Sequence, residues 1–502
     1  MTTLSPSTTA FSTSARPTTS TLTSYKDKAT TPIPSSDTRE ERRRVHHEAD
    51  IVIVGAGIVG CAAAVAFGKQ GRSVLLLERS LKEPDRIVGE LLQPGGVQAL
   101  EKLGLRDCLE DIDAIPCYGY QVTYHGEPVS IPYSSISPSQ RPEGRSFHHG
   151  RFIQKLRAAA RSTPNVTIVE TTVNSLIKSP YTHEILGVSS TTAGKPDYYF
   201  APLTLVADGY ASKFRAEHLP HTPEVRSKFY GLELIDAVLP APNHGHVILS
   251  SAPPILVYQI GTHETRILID VPSNCPTASP AAGGIKNHLL NVALPSVPEC
   301  LRPSLRAAIE TGKLRSMPNS FLPPAQQSTP GLLILGDAMN MRHPLTGGGM
   351  TVAFNDVVVL SQLLSPEQVP SFDNTRAVVN AVRNFHWKRK NGSTVINILA
   401  MALYSLFAAD DARLVALQNG CFRYFQRGGK CVSEPCGLLA GLIQRPLVLV
   451  WHFFSVAFYA VWRLAVEGSV YRIPYVLFVE SLLVVWKAVV VIGPYLVWEA
   501  RS

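Results

Sequence analysis

GLLILGDAMNMRHPLTGGGMTVAFNDVVVL, residues 331–360, sets the reading of the whole chain. It opens on the apolar run Leu332–Leu335, the length of a buried parallel strand. Gly336-Asp337 ends that strand and Pro344 marks a turn. Three successive glycines follow, Gly347, Gly348 and Gly349, and Met350–Leu360 resumes as a helix. A helix start offers free N–H groups and a positive dipole end to an anion or a polarised carbonyl. Glycines let a large flat ligand come close to the backbone. In isolation, GD followed by GGG is only a turn, and the opposite end of the chain gives it meaning.

There, Ile51–Val54 reads as a strand and Gly55-Ala56-Gly57-Ile58-Val59-Gly60 fits G-x-G-x-x-G. An Ala-rich helix, Cys61–Gln70, and a second strand, Ser73–Leu77, follow. Glu78, with Arg79 beside it, stands about twenty residues past the glycines, the spacing of a dinucleotide-binding βαβ unit. Gly55 suits the tight turn, Gly57 the approach of a pyrophosphate, Gly60 close helix–strand packing, and Glu78 a ribose. Leu203–Arg215 repeats the strand–turn–helix order around Asp208-Gly209. Arg86 follows the second strand, where it can pair a phosphate or stand in an exposed loop. Arg151 opens the helix Arg151–Arg161, as a cofactor contact or a surface charge. Gln93 sits in a Pro-Gly-Gly turn, and Tyr120 lies on the strands of Tyr118–Ile131. Alternating runs such as Val247–Ser250 and Ile255–Ile260 predict an antiparallel sheet across 216–320.

Composition bounds the rest. The 502 residues suffice for more than one domain, and only 17% are charged against 45% hydrophobic. That charged share is below the roughly 25% of soluble domains and points to a membrane. The net charge of +8 suits anionic lipid; Lys and Arg do not alternate with aromatics, so no nucleic-acid partner is expected. The eight cysteines are scattered and the paired histidines His148-His149 share no face, so no metal site is expected. Residues 1–48, rich in Ser, Thr and Pro, read as a disordered tail.

The C-terminus is helical by period: Ala377–Lys390, Ser393–Phe407 and Ala412–Phe425. Two apolar stretches follow, Pro446–Trp462 and Ile473–Trp498, the second carrying Glu480 and Lys487 and expected to break at Gly493-Pro494. Both are marginal against the roughly 20 residues a span needs. A hairpin lying in one leaflet is preferred, with a tail-anchored span as the alternative.

Together, GAGIVG with Glu78, ADGYASKFR and GDAMNMRHPLTGGGM resemble the FAD-dependent monooxygenases of the p-hydroxybenzoate hydroxylase type. LKEPDRIVGELLQPGG, HHGRF, SMPNSFLPPAQQ and the hydrophobic C-terminus are closer to the squalene epoxidases, over residues 49–502. Met339 stands where that family commonly has Tyr. The resemblance implies an α/β (α+β overall) fold: a Rossmann-type FAD domain, an antiparallel-sheet substrate domain and a C-terminal membrane-associated helical region. It implies FAD contacts from Gly55, Gly57, Gly60, Glu78, Arg79, Arg86, Arg151, Val166, Asp208, Asp337, Gly347, Gly348, Gly349 and Met350. Squalene and O2 would be substrates, with oxygen transferred from a flavin hydroperoxide to an alkene. NADPH–cytochrome P450 reductase would supply electrons at the endoplasmic reticulum membrane, among membrane lipid. Tyr120 and Gln93 are the candidates to hydrogen-bond near the flavin ring and orient the substrate, although Tyr120 also reads as a satisfied core residue. Leu403 and Phe407, four apart on one helix face, are candidates to line an apolar pocket. A flavin hydroxylase of aromatic or other terpenoid substrates and a prenyl-chain reductase are the alternatives.

The expected segmentation assigns 49–115, 146–215 and 321–370 to the FAD domain, 116–145 and 216–320 to the substrate domain, 371–440 to pocket helices and 441–502 to the membrane hairpin.

Overall fold

A computed structural model describes residues 47–134, 141–250, 252–467 and 479–501. The expected disorder of 1–48 falls almost wholly outside those residues, as does the start of the second apolar stretch.

Five short, almost wholly apolar strands form a parallel sheet. In chain order they are β1 (Ile51–Val54), β2 (Val74–Glu78), β3 (Val166–Glu170), β4 (Leu203–Val206) and β5 (Leu332–Ile334). Their spatial order is β5-β4-β1-β2-β3. β1 is buried throughout, as a strand covered on both faces must be. Helices α1 (Ile58–Lys69), α2 (His149–Ser162) and α3 (Gly349–Leu363) pack into the core that surrounds it. Gly55, at φ +103°, takes the turn between β1 and α1, and a side chain there would run into the Ala207 carbonyl.

A seven-stranded sheet lies beside this domain. It joins Gly119–Tyr124 and Glu127–Pro132 to five strands between Glu224 and Phe321. The expected antiparallel pattern holds at every join but one: Gly119–Tyr124 runs parallel to Gly245–Leu249, with Tyr120 opposite Gly245. Strands over a hundred residues apart owe nothing to a hairpin turn, so local spacing could not set their direction.

The C-terminal helices are α4 (Thr375–Phe407), α5 (Ala412–Gln426), α6 (Pro446–Glu467) and α7 (Ser481–Arg501), with Lys430–Leu439 between α5 and α6. Two expectations fail here. α4 is one helix of 33 residues, running through Asn391-Gly392. An interior glycine costs only about 1 kcal/mol, and the buried residues on either side, from Phe385 to Ile398, offset it. α7 likewise runs through Pro494. Ile492 and Tyr495 bury against Phe321 and Leu399, holding both sides of the proline in place.

Both α6 and α7 are long and apolar enough to cross a membrane. Each buries one face against the body and exposes a stripe: Leu447, Trp451, Phe458 and Trp462 on α6, Leu482, Trp486 and Val490 on α7. Those positions recur at helical spacing.

Candidate active site

The carboxyl ends of the parallel strands open into a cavity of about 1060 Å3 that reaches the seven-stranded sheet. Its nucleotide end is built from the β1–α1 turn. Gly57 is the residue before α1, and open space lies where its side chain would be. Gly60 does not face the cavity; a side chain there would collide with the Gly55 carbonyl oxygen. The Glu78 carboxylate accepts from the Ala56 N–H at 2.8 Å and stands 3.6 Å from Arg157. Arg157, 4% exposed, donates to the carbonyls of Ala56 and Lys82, both at 3.0 Å.

The second turn brings Asp208 to the wall. Asp208 Oδ1 is buried with no partner in hydrogen-bond geometry among the described residues; burial raises this carboxyl above its ordinary range, and the nearby Ser212 hydroxyl and Lys213 N–H only partly offset that. Arg86 reaches from the opposite side, with Nη2 3.8 Å from Asp337 Oδ2 and its guanidinium over the Tyr210 ring. Gly347, Gly349 and Met350 form the wall at the start of α3. His149 closes one side with Nδ1 2.9 Å from the Gly89 carbonyl; burial first, then Arg86, pushes its pKa down to about 4.

At the far end Tyr120, Val247, Leu256 and Leu268 present an apolar wall. Tyr120 is buried and its hydroxyl accepts from Gln93 Nε2. The same amide donates to the Thr346 carbonyl at 2.8 Å, and Gln93 Oε1 accepts from Tyr133 at 2.6 Å. Burial pushes the Tyr120 phenol far above its usual pKa, so it stays neutral. Gln93 lies behind the wall, bracing the residue next to Gly347.

Of the residues singled out in the sequence, Gly55, Gly57, Glu78, Arg79, Arg86, Asp208, Asp337, Gly347, Gly349, Met350 and Tyr120 line this one cavity. Others stand elsewhere. Arg151 faces Asp113 at 3.6 Å, and Arg157, on the same helix, reaches the cavity instead. Val166 pairs with Val74 at the start of β3, whereas Val173 meets the cavity beyond the strand's end. Gly348 packs beneath Ile396. Leu403 and Phe407 do not line the cavity; they join the apolar cluster behind Tyr120 and Leu345, with Phe407 itself buried.

Comparison with known proteins decides the family. A squalene epoxidase family model matches residues 200–478, more than half of the chain. The chain belongs to the squalene epoxidase family. The squalene epoxidase of Aspergillus fumigatus is 61% identical over 94% of this chain and 99% of its own length. That of Gibberella zeae is 53% identical, over 93% and 98%. An FAD-binding domain model matches residues 48–290. The fold is also that of p-nitrophenol 4-monooxygenase PnpA from Pseudomonas putida, at TM-score 0.62 and 18% identity, covering 79% of this chain and 98% of that one. The cofactor is FAD. The free approach at Gly57, the braced Glu78 and the buried Asp208 oxygen all suit an adenine dinucleotide in this squalene epoxidase cleft.

Proposed function

We propose that the chain epoxidises squalene to (S)-2,3-oxidosqualene for sterol or triterpenoid synthesis. The carrying observation is that one cavity runs from the nucleotide turn to an apolar wall without a break. FAD supplies the redox chemistry that activates O2; an isolated alkene needs no protein nucleophile. The chain binds and encloses. Gly57 and the α1 start would hold the pyrophosphate, Glu78 a ribose, and Arg157 braces Glu78. Asp337, Gly347, Gly349 and Met350 would hold the ring, where the α3 start offers N–H groups to developing negative charge. Tyr120, fixed by Gln93, donates a hydrogen bond to the Thr346 carbonyl at 3.3 Å and so ties the substrate sheet to the glycine loop. The apolar wall excludes water.

Squalene would reach this wall from lipid. Tyr120 and Leu345 share one apolar cluster with Phe407, Phe422, Ala457 and Ala460, so hydrocarbon surface is continuous from cavity to α6. The one-sided exposure of α6 and α7 supports a hairpin lying in one leaflet of the endoplasmic reticulum membrane, the catalytic body in the cytosol. NADPH–cytochrome P450 reductase in the same membrane would supply electrons, and the net charge of +8 would favour its docking.

Purified protein incubated with squalene, the reductase, NADPH and O2 is expected to yield the epoxide. A saturated chain, or no product beside hydroxylation of a phenol, overturns the reading.

A further inference from the structure

The segment between Asp337 and the glycine loop is joined to the last turns of the chain. Asn340 is 1% exposed, and its side-chain oxygen accepts from Arg342 Nη2 at 2.7 Å, Arg389 Nη2 at 3.2 Å and Asn397 Nδ2 at 3.2 Å. Its own amide donates to the Leu322 carbonyl at 2.8 Å, which fixes the orientation. Asp356 closes Arg389 with two contacts, at 2.9 and 2.8 Å. The other carboxylate comes from α7. Glu499 Oε1 accepts from Asn397 at 2.7 Å, Oε2 accepts from Thr394 at 2.9 Å, and the main-chain carbonyl accepts from Lys390 at 2.7 Å.

Asp356, Arg389, Arg342 and Glu499 are all buried, two guanidiniums against two carboxylates, with the half-buried Lys390 ammonium at the edge of the cluster. A buried ion costs much unless paired. Asn397 and Asn340 carry the link between Glu499 and Arg342, and Arg342 lines the cofactor cavity, its Nη1 3.5 Å from the carbonyl of Gly349. α7 also carries the exposed apolar stripe, so the lipid-facing helix and the cofactor wall share one set of polar contacts.

We propose that Glu499 is a positioning residue for the cofactor: through Asn397 and Asn340 it holds Arg342 against the start of α3. The inference rests on the reading of this cavity as the FAD site. The C-terminal helix is then part of the flavin site rather than a separable anchor.

The test uses the full chain in detergent, with FAD titrated by flavin fluorescence and the bound flavin's midpoint potential measured. Glu499→Ala is expected to weaken FAD binding by about fivefold or more, since a charged hydrogen bond is lost. Glu499→Gln keeps the shape and removes one negative charge, making the cluster more positive. It is expected to raise the midpoint potential, because positive charge favours the anionic reduced ring. Thr394→Val removes a single contact and serves if both Glu499 variants fail to fold; about a twofold weakening is expected. Folded variants with unchanged FAD affinity and potential overturn the proposal, even where melting temperature falls, since that pattern marks a brace alone. Failure of the unaltered protein to bind FAD would instead overturn the reading of the cavity.

Discussion

Arg86 and Asp337 face each other across the cofactor cleft, Nη2 to Oδ2 at 3.8 Å, one from the loop after β2 and the other from the turn after β5. Asp337 is partly exposed, so the pair itself adds little stability, and its carboxylate is open to a ligand. Asp337→Ala is expected to lose about 1.5–3 kcal/mol of FAD binding with little change in the melting temperature of the flavin-free protein. Purification of the variant with full yellow flavin content would remove Asp337 from the site.

The two fingerprint glycines should separate folding from binding. A methyl at Gly57 meets nothing within 4 Å, so Gly57→Ala is expected to fold normally and to lose FAD by filling the approach path. A methyl at Gly60 collides with the Gly55 carbonyl, so Gly60→Ala should lower the melting temperature or abolish soluble expression. Thermal melts with and without FAD distinguish the two; equal behaviour contradicts the assignment.

Tyr120→Phe removes a hydroxyl that joins Gln93 to the Thr346 carbonyl. Losing a neutral hydrogen bond of about 0.5–1.5 kcal/mol is expected to slow squalene turnover by roughly two- to tenfold, leaving FAD content unchanged. Wild-type turnover would return Tyr120 to the role of a satisfied core side chain.

His149 should shape the acid limb of stability. Its pKa falls from 6.5 to about 4 on folding, so the unfolded chain binds more protons between those values. Stability is therefore full above about pH 6.5 and is lost as pH falls toward about 4, by at most about 1.4 kcal/mol per pH unit. Denaturant titrations of His149→Gln should show a shallower slope across that window. Coincident slopes would mean that other groups dominate it.

Membrane binding should reside in the exposed stripe. Trp451→Ser combined with Trp486→Ser removes two of its largest side chains without touching the faces packed on the body. The variant is expected to move toward the soluble fraction in sedimentation, with FAD content retained. Persistence with membranes at high salt would place the anchor elsewhere.

What the sequence disclosed was local. β1, α1, β2 and the strand–turn–helix around Asp337 lie within single short stretches, where period and turn residues suffice. Arg157 was missed in favour of Arg151, although a signal existed: Phe152, Ile153, Leu156 and Ala160 mark the buried face of α2, and Arg157 follows Ile153 by four. Val166 begins its strand, whereas ligands in parallel sheets bind at carboxyl ends, where Val173 stands. The Gln93–Thr346 bond and the Glu499 cluster join residues far apart in the chain, and no periodicity encodes such pairs.

The strand order carries a consequence for biosynthesis. β1 is made near the start of the chain, yet its neighbour β4 comes some 150 residues later, and β5, on the far side of β4, later still. A nascent chain emerging from the ribosome therefore holds β1 with one flank bare until β4 emerges, and β4's own flank stays bare until β5 does. Closing loops of that length is slow, and bare apolar edges invite aggregation meanwhile. Synthesis of this protein should accordingly lean on chaperones that shield the unfinished sheet. Chains stalled before Leu332 should be cleared by proteolysis instead of accumulating as a stable fragment.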